Sequence, residues 1–352
     1  MLKSVLKVGG AAVAVALTLT ACGSGSSGSS GGSGGSGGLS VAYMVPGTLG
    51  DLGFFDSGAA GIKKAASELG VTTKTVEGGT NATATWKSDL QSLSSGSYKL
   101  VVTGSDQVTD QITAVAKQNP KQKYVVFDQS IDLPNVASIT YRQNDGAFLA
   151  GVLATLVAKD TKDFPLASGT PNVGIVGGQN IPVINDFIVG FQKGAQSVDP
   201  AVKVQTSYVG NFTDAQAGFN QAASMYASGA SVVFAAAGGA GLGVLKASQA
   251  QNKYSIGVDS NQNNLYPKNV IASDLKNVGA SVFDLIKKDK AGSLKFGQTY
   301  VYGISNGGVE LAVNDAVVPA AVKAQLDDYS KKVSSGAIDV PCVEPFCTKA
   351  TG

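Results

Sequence analysis

The chain has 352 residues, of which 43% are hydrophobic and 15% charged, with a net charge of +2; that much apolar material builds a large core, and the length suggests two lobes. The near-neutral balance argues against a basic nucleic-acid face. Histidine is absent, which removes Ser-His-Asp and Cys-His nucleophile pairs, histidine metal ligation and histidine acid–base work together; composition leaves an enzyme of a histidine-free mechanism open as the least favoured class, and the expectation for the chain as a whole is a protein that is not an enzyme, with no cofactor or metal.

Residues 1–21 have a lysine-bearing start (Lys3, Lys7), an apolar run from about Ala11 to Leu19, and small residues before Cys22. This is the pattern of a secretory signal peptide, and the run is too short for the roughly 20 residues of a spanning helix. Leu19-Thr20-Ala21-Cys22 resembles a bacterial lipobox, which implies cleavage before Cys22 and lipidation of its thiol; the alternative is an ordinary secreted protein with a stray cysteine. Residues 23–38 (GSGSSGSSGGSGGSGG) have no core-forming side chain and read as a flexible tether reaching roughly 20–24 Å. The expected location is the extracytoplasmic face of the cell membrane, held there by a lipid anchor.

The next stretch alternates strands and helices. LSVAYMV (39–45) predicts a strand and GDLGFFDSGAAGIKKAAS a loop running into a helix that ends near Leu69. Strands follow at VTTKTVE, KLVVTG, KYVVFD and NVASITY, with helices around 85–93 and 107–117. A second series begins with helix GAFLAGVLATLVAK (146–159) and continues through strands NVGIVGG, KVQTSYVG, SVVFAAAG and YSIGVD with helices between them. Helix NVGASVFDLIKKD and strand TYVYGI then recross between the halves. The fold class is α/β: two doubly wound parallel-sheet lobes, 39–141 with 271–291 and 142–270 with 292–352. Cys342 and Cys347 in PCVEPFC fit a local disulfide in an oxidising compartment.

In open parallel sheets ligands bind beyond the carboxyl ends of the strands. The residues there are Asp51, Phe54, Phe55 and Asp56 after the first strand, Ser105 and Asp106 after the third, and Asp128 after the fourth; in the second half they are Phe212, Asp214, the glycines from Gly238, and Asp259 with Asn261. Short acceptors suit a hydroxyl-rich ligand, and aromatic faces suit a flat ring or the apolar face of a sugar. Each aspartate alone also fits a helix N-cap or turn, most of all Asp56, and Phe54 alone also fits a hydrophobic staple. Strand SVVFAAA followed by Gly238-Gly239-Ala240-Gly241-Leu242-Gly243 and Asp259 imitates a dinucleotide-binding unit, but its glycines do not follow G-x-G-x-x-G.

Eight segments in register resemble the basic membrane protein lipoproteins, the Med/PnrA-like family. They are GDLGFFDSGAAGIKKAASELG, AFLAGVLATLVAK, NVGIVGG, FIVGFQKGAQSVDP, YVGNFTDAQAG, ASGASVVFAAAGGAGLG, IGVDSNQ and IASDLKNV. The resemblance implies a solute receptor of an ABC importer with a type I periplasmic-binding-protein fold, a nucleoside ligand, purine nucleosides favoured, a permease partner and a monomeric state. Carried over by position, it implies that Phe54 and Phe212 sandwich a base, with Asp51 beside Phe54. It also implies that Asp128 is the acid ending the fourth strand, Gly238 the glycine near the ligand, Asp259 the ribose-binding acid and Lys276 the assisting lysine. Two positions depart from the family pattern. Phe55 stands where asparagine is usual, and the aspartate ending the first strand is replaced by the Met44-Val45-Pro46 region. Both positions help read the base. A receptor for a sugar, or a sensor feeding a signalling partner, remains the alternative.

Overall fold

The computed structural model describes residues 38–348; the signal peptide, Cys22 and all of the tether but Gly38 lie outside them. The first lobe is built by β1 (Ser40–Val45), α1 (Phe54–Leu69), β2 (Thr72–Glu77), α2 (Thr83–Leu93), β3 (Leu100–Gly104), α3 (Thr109–Gln118), β4 (Lys123–Phe127) and β5 (Val136–Tyr141). The chain crosses to the second lobe for α4 (Gln143–Lys159), β6 (Asn172–Gly177), α5 (Pro182–Val198), β7 (Lys203–Tyr208), α6 (Ala215–Ala227), β8 (Val232–Ala236), α7 (Gly241–Ala250), β9 (Tyr254–Asp259) and β10 (Val270–Lys276). It returns for α8 (Val278–Lys290) and β11 (Gln298–Tyr302), and crosses again to β12 (Val309–Val313) and α9 (Ala320–Ser334).

Each lobe holds a six-stranded sheet, ordered β11-β5-β4-β3-β1-β2 and β12-β10-β9-β8-β6-β7. Every pairing is parallel except β10 with β12. Central strands such as β3 and β8 are buried along their whole length, as helices on both faces of a parallel sheet require. The doubly wound α/β expectation is thus met. Two lobe boundaries differ from those read in the sequence. β10 belongs to the second sheet, so the return to the first lobe begins after Lys276 and not at 271. β11 pairs with β5, so the first lobe keeps the chain to Tyr302 rather than releasing it at 292. The polar residues Asp274 and Lys276 interrupt the apolar run of β10, and that concealed the strand.

α4 is apolar nearly all round and buried except at Leu156 and Lys159, the mark of a helix enclosed on every side. It packs on α5 through glycines. A Cβ on Gly194 would stand 1.9 Å from the Phe148 carbonyl oxygen and one on Gly151 2.1 Å from that of Phe191, so the helix backbones meet directly. The three crossings are tied together: Arg142 N donates to Tyr302 O at 2.7 Å and Asn277 N to Gly308 O at 2.9 Å. Cys342 and Cys347 form a disulfide with Cα atoms 5.2 Å apart. That tail docks on the second lobe, where Val343 N donates to the buried Asp186 at 2.7 Å. Among the described residues no helix is long and apolar enough to cross a membrane.

Candidate ligand-binding cleft

The strands of both sheets end at one cavity of about 340 Å³ between the lobes. Its lining includes Asp51, Phe54, Phe55, Ser105, Asp106, Asp128, Phe212, Gly238, Asp259 and Lys276, whereas Asp56, Asp214 and Asn261, which also follow strands, are not part of it.

On the first lobe, the loop after β1 closes onto the start of α1. Asp51 accepts hydrogen bonds from Gly53 N (3.1 Å), Phe55 N (2.8 Å) and Asp56 N (3.1 Å), so it satisfies amides of the first helical turn that have no intrahelical partner. Burial pushes its carboxyl upward while these amides pull it down. Asp56, the stronger sequence candidate for a cap, instead draws the loop inward by accepting from Gly50 N and Leu52 N at 2.8 and 2.9 Å. Phe54 and Phe55 are therefore the first two helical residues, held at the cavity wall by the cap. The Phe54 centroid lies 5.3 Å from those of Phe55 and Phe127, at interplanar angles of 63° and 59°. Phe55 lines the cavity and also packs on Gly47, where a Cβ would come within 2.8 Å of its ring.

Asp128 does not face the cavity alone. Lys276 Nζ, at the end of β10, bonds both of its oxygens at 3.0 Å, and both side chains are about 95% buried. The ammonium also stands 4.9 Å from the ring centroid of Phe54, 5.2 Å from Phe187 and 5.5 Å from Tyr141, a geometry that favours a cation over aromatic faces. This buried pair joins the two lobes.

The second wall is made of smaller residues. Phe212 packs against Gly178, where a Cβ would meet its ring at 2.2 Å, and its carbonyl accepts from Ala240 N at 2.9 Å. Gly238 adopts φ +55° beside it, a conformation glycine takes without strain. Asp259 ends β9, is 7% exposed, and its carboxylate accepts no hydrogen bond among the described residues. Burial raises it to about 7; Lys276 opposes the rise, while Asp51 and Asp128 add to it. Of the strand-end acids, Asp51 is committed to a helix and Asp128 to a lysine, and Asp259 has its oxygens available.

Backbone strain gathers at the same place. Ser105, Asp128 and Asp259 have φ of 109°, 62° and 65°, a region that costs a non-glycine residue about 1–3 kcal/mol and concentrates at functional sites. The lobes also bond directly across the cleft: Ser260 Oγ donates to Gly53 O (3.2 Å), Gln262 Nε2 to Leu52 O (3.1 Å) and Gln107 Nε2 to Gln179 Oε1 (3.4 Å). The structure is therefore a closed form. Sequence reasoning missed Phe187, Gln107 and Gln179. Phe187 sits in an amphipathic helix with nothing to separate it from core phenylalanines, and the glutamines meet only across the lobes. Among the described residues no cluster of acids or cysteines is arranged to hold a metal.

Comparison with known proteins agrees with this architecture. Residues 39–344 match the family described as ABC transporter substrate-binding protein PnrA-like. The chain is 30% identical over 309 residues to basic membrane protein A of Borreliella afzelii, covering 86% of this chain and 91% of that protein. It is 35% identical over 275 residues to the ABC transporter nucleoside-binding protein BmpA of Lactococcus lactis subsp. cremoris, covering 72% and 76%. Among solved structures, an ABC transporter solute-binding protein from Aeropyrum pernix K1 superposes with a TM-score of 0.77 at 26% identity, over 86% of this chain and 94% of that one. The chain belongs to the PnrA-like family of ABC transporter substrate-binding proteins, and is a transport receptor and not an enzyme.

Proposed function

We propose that the chain captures a nucleoside between its lobes and delivers it to an ABC permease, acting as a monomer anchored through a lipid on Cys22 at the extracytoplasmic face of the membrane. The observation that carries the nucleoside reading is the company Asp259 keeps. A buried carboxylate with unoccupied oxygens stands in one cavity with Phe54 and Phe212, so that hydroxyl recognition and ring stacking fall within a single ligand's length. A cavity of about 340 Å³ lies within the usual range for small-molecule sites. The name carried by the Lactococcus relative supports the same ligand class.

Capture works by closure. In the closed form the cross-lobe bonds at Gly53, Leu52 and Gln107 shut the cleft. A ligand that touches both walls only in that form shifts the lobes toward it. The permease then reads the closed shape. A thermal-shift screen of the domain starting at Leu39 against nucleosides, free bases, sugars and flavins tests the reading. Nucleosides are expected to raise the unfolding temperature; a response to sugars with none to any nucleoside would overturn it.

A further inference from the structure

Asp274 lies on β10, two residues before its last residue, and is 1% exposed. It is not part of the cavity lining, and neither carboxylate oxygen has a hydrogen-bond partner among the described residues. A Cβ on Gly146 would meet Asp274 Oδ1 at 2.1 Å and Val309 Cγ1 at 2.5 Å. Gly146 is in the first turn of α4, just past the first crossing, and Val309 opens β12, just past the third. Asp274 itself immediately precedes the second. The carboxyl group therefore sits where all three connections between the lobes converge. Thr140 Oγ1, Gln143 Oε1 and Asn144 Oδ1, flanking the first crossing, are also buried without a partner, and the Gln143 amide nitrogen is already given to Asp186 at 2.7 Å.

We propose that Asp274 is a proton-binding site that couples closure of the lobes to proton uptake. An ionised carboxylate with no donor is expensive to bury, whereas the neutral acid fits the closed packing. The groups facing it are Asp259 from β9, Lys276 on its own strand, and Asp145 from α4, which is paired with Arg142 at the N-cap of that helix; β12 presents Val309 and Leu311, which do not titrate. Burial pushes the Asp274 carboxyl well above the usual range, Asp259 adds to the rise, Lys276 opposes it and Asp145 adds again. When the crossings part, water reaches the group and its ordinary acidity returns. The closed form then binds more protons than the open form, and closure weakens by up to about tenfold per pH unit between the two values. Acid closes the receptor and alkali opens it.

The inference rests on the lobe motion proposed above and not on the ligand. Small-angle scattering of the ligand-free full chain, carrying C22A so that no lipid is attached, tests it between pH 5 and 9. Every sample carries D259N, because Asp259 lines the cleft and its raised carboxyl is linked to closure in the same sense. The radius of gyration is expected to grow with pH in D259N with Asp274 intact and to lose most of that growth in D259N/D274N and in D259N/D274L, the last variant guarding against misfolding of the one before it. Carbon-13 NMR of the Asp274 carboxyl reads its protonation directly and should show it still neutral at pH 7. A radius indifferent to pH with Asp274 intact, a response retained in both Asp274 variants, or a carboxyl titrating in the ordinary range would each overturn the proposal. No ligand enters the measurement, so its result is separate from that of the nucleoside screen.

Discussion

The two walls of the cleft come from lobes with nearly the same topology, yet they are built on opposite plans. The first-lobe wall is aromatic and internally satisfied: Asp51 holds a helix start, Asp128 holds Lys276, and Phe54, Phe55 and Phe127 pack on one another. The second-lobe wall is glycine-rich and leaves Asp259 without a partner. Repeating a fold repeats where strands end, but not which side chains stand there. One wall arrives organised, and the other leaves its hydrogen-bonding capacity to be met by what binds.

The sharpest way to break this contrast is to disturb the ion pair on the organised side. Lys276→Met leaves the buried Asp128 uncompensated and should lower stability by about 3–5 kcal/mol in denaturant unfolding. Adding Asp128→Asn should restore most of that loss, because a pair removed together strands no charge. A single variant as stable as the parent would show that the pair does not hold the lobes.

Asp259 offers the next largest effect, and of opposite character. Its carboxyl is raised to about 7 in the fold, so between its ordinary value and 7 the folded chain binds more protons than the unfolded one, and stability falls as pH rises through that window. Asp259→Asn should therefore be more stable than the parent at pH 8 and equally stable near pH 4. Ligand hydroxyls donating to the carboxylate favour its ionised form. Affinity for inosine, measured calorimetrically in the D274N background so that closure at Asp274 does not itself change with pH, should thus fall by up to about tenfold per pH unit below 7, and adding Asp259→Asn should remove that slope. A D274N affinity unchanged between pH 8 and 5 would remove Asp259 from ligand contact.

Stacking is a third comparison of the walls. Phe54→Ala and Phe212→Ala should each weaken nucleoside binding by about 1–3 kcal/mol, the range for losing one aromatic partner of a base. Gly178→Ala reaches Phe212 from behind, since the added Cβ would overlap its ring at 2.2 Å. It should reproduce part of the Phe212 loss and leave the Phe54 contribution untouched. If either alanine leaves affinity unchanged, the ligand does not lie between the rings.

The walls also differed in how far the sequence disclosed them. Strand ends can be located from apolar runs, so Asp128 and Asp259 could be placed at the cleft before any coordinates. Which acid would be occupied could not, because Lys276 comes from a strand of the other lobe, 148 residues away from Asp128 in the chain. The capping role went to Asp51 rather than Asp56 because the loop doubles back on itself, and spacing alone does not show that. β10 was hidden by the same polar residues, Asp274 and Lys276, that make it interesting. Its neighbour β12 and the helix α9 were too short or too polar to stand out from the C-terminal region.

The smallest effect bears on the least settled residue. Phe55 packs on Gly47 and meets Phe54 edge to face while also lining the cavity, so its ring has a structural role and a ligand-facing one. Phe55→Asn removes an aromatic contact of about 0.5–1.5 kcal/mol, and a modest loss of stability follows from either role. Selectivity separates them. If the ring forms the wall against the base, an amide in its place brings a donor and an acceptor to that wall, and the affinity ratio of inosine to uridine should rise by up to about tenfold, a change equivalent to about 1.4 kcal/mol. If the ring only supports Phe54, both ligands should weaken together and the ratio should stay fixed. A fixed ratio would move selectivity away from the organised wall and onto the groups around Asn81, Gln107 and Thr213, which line the same cavity.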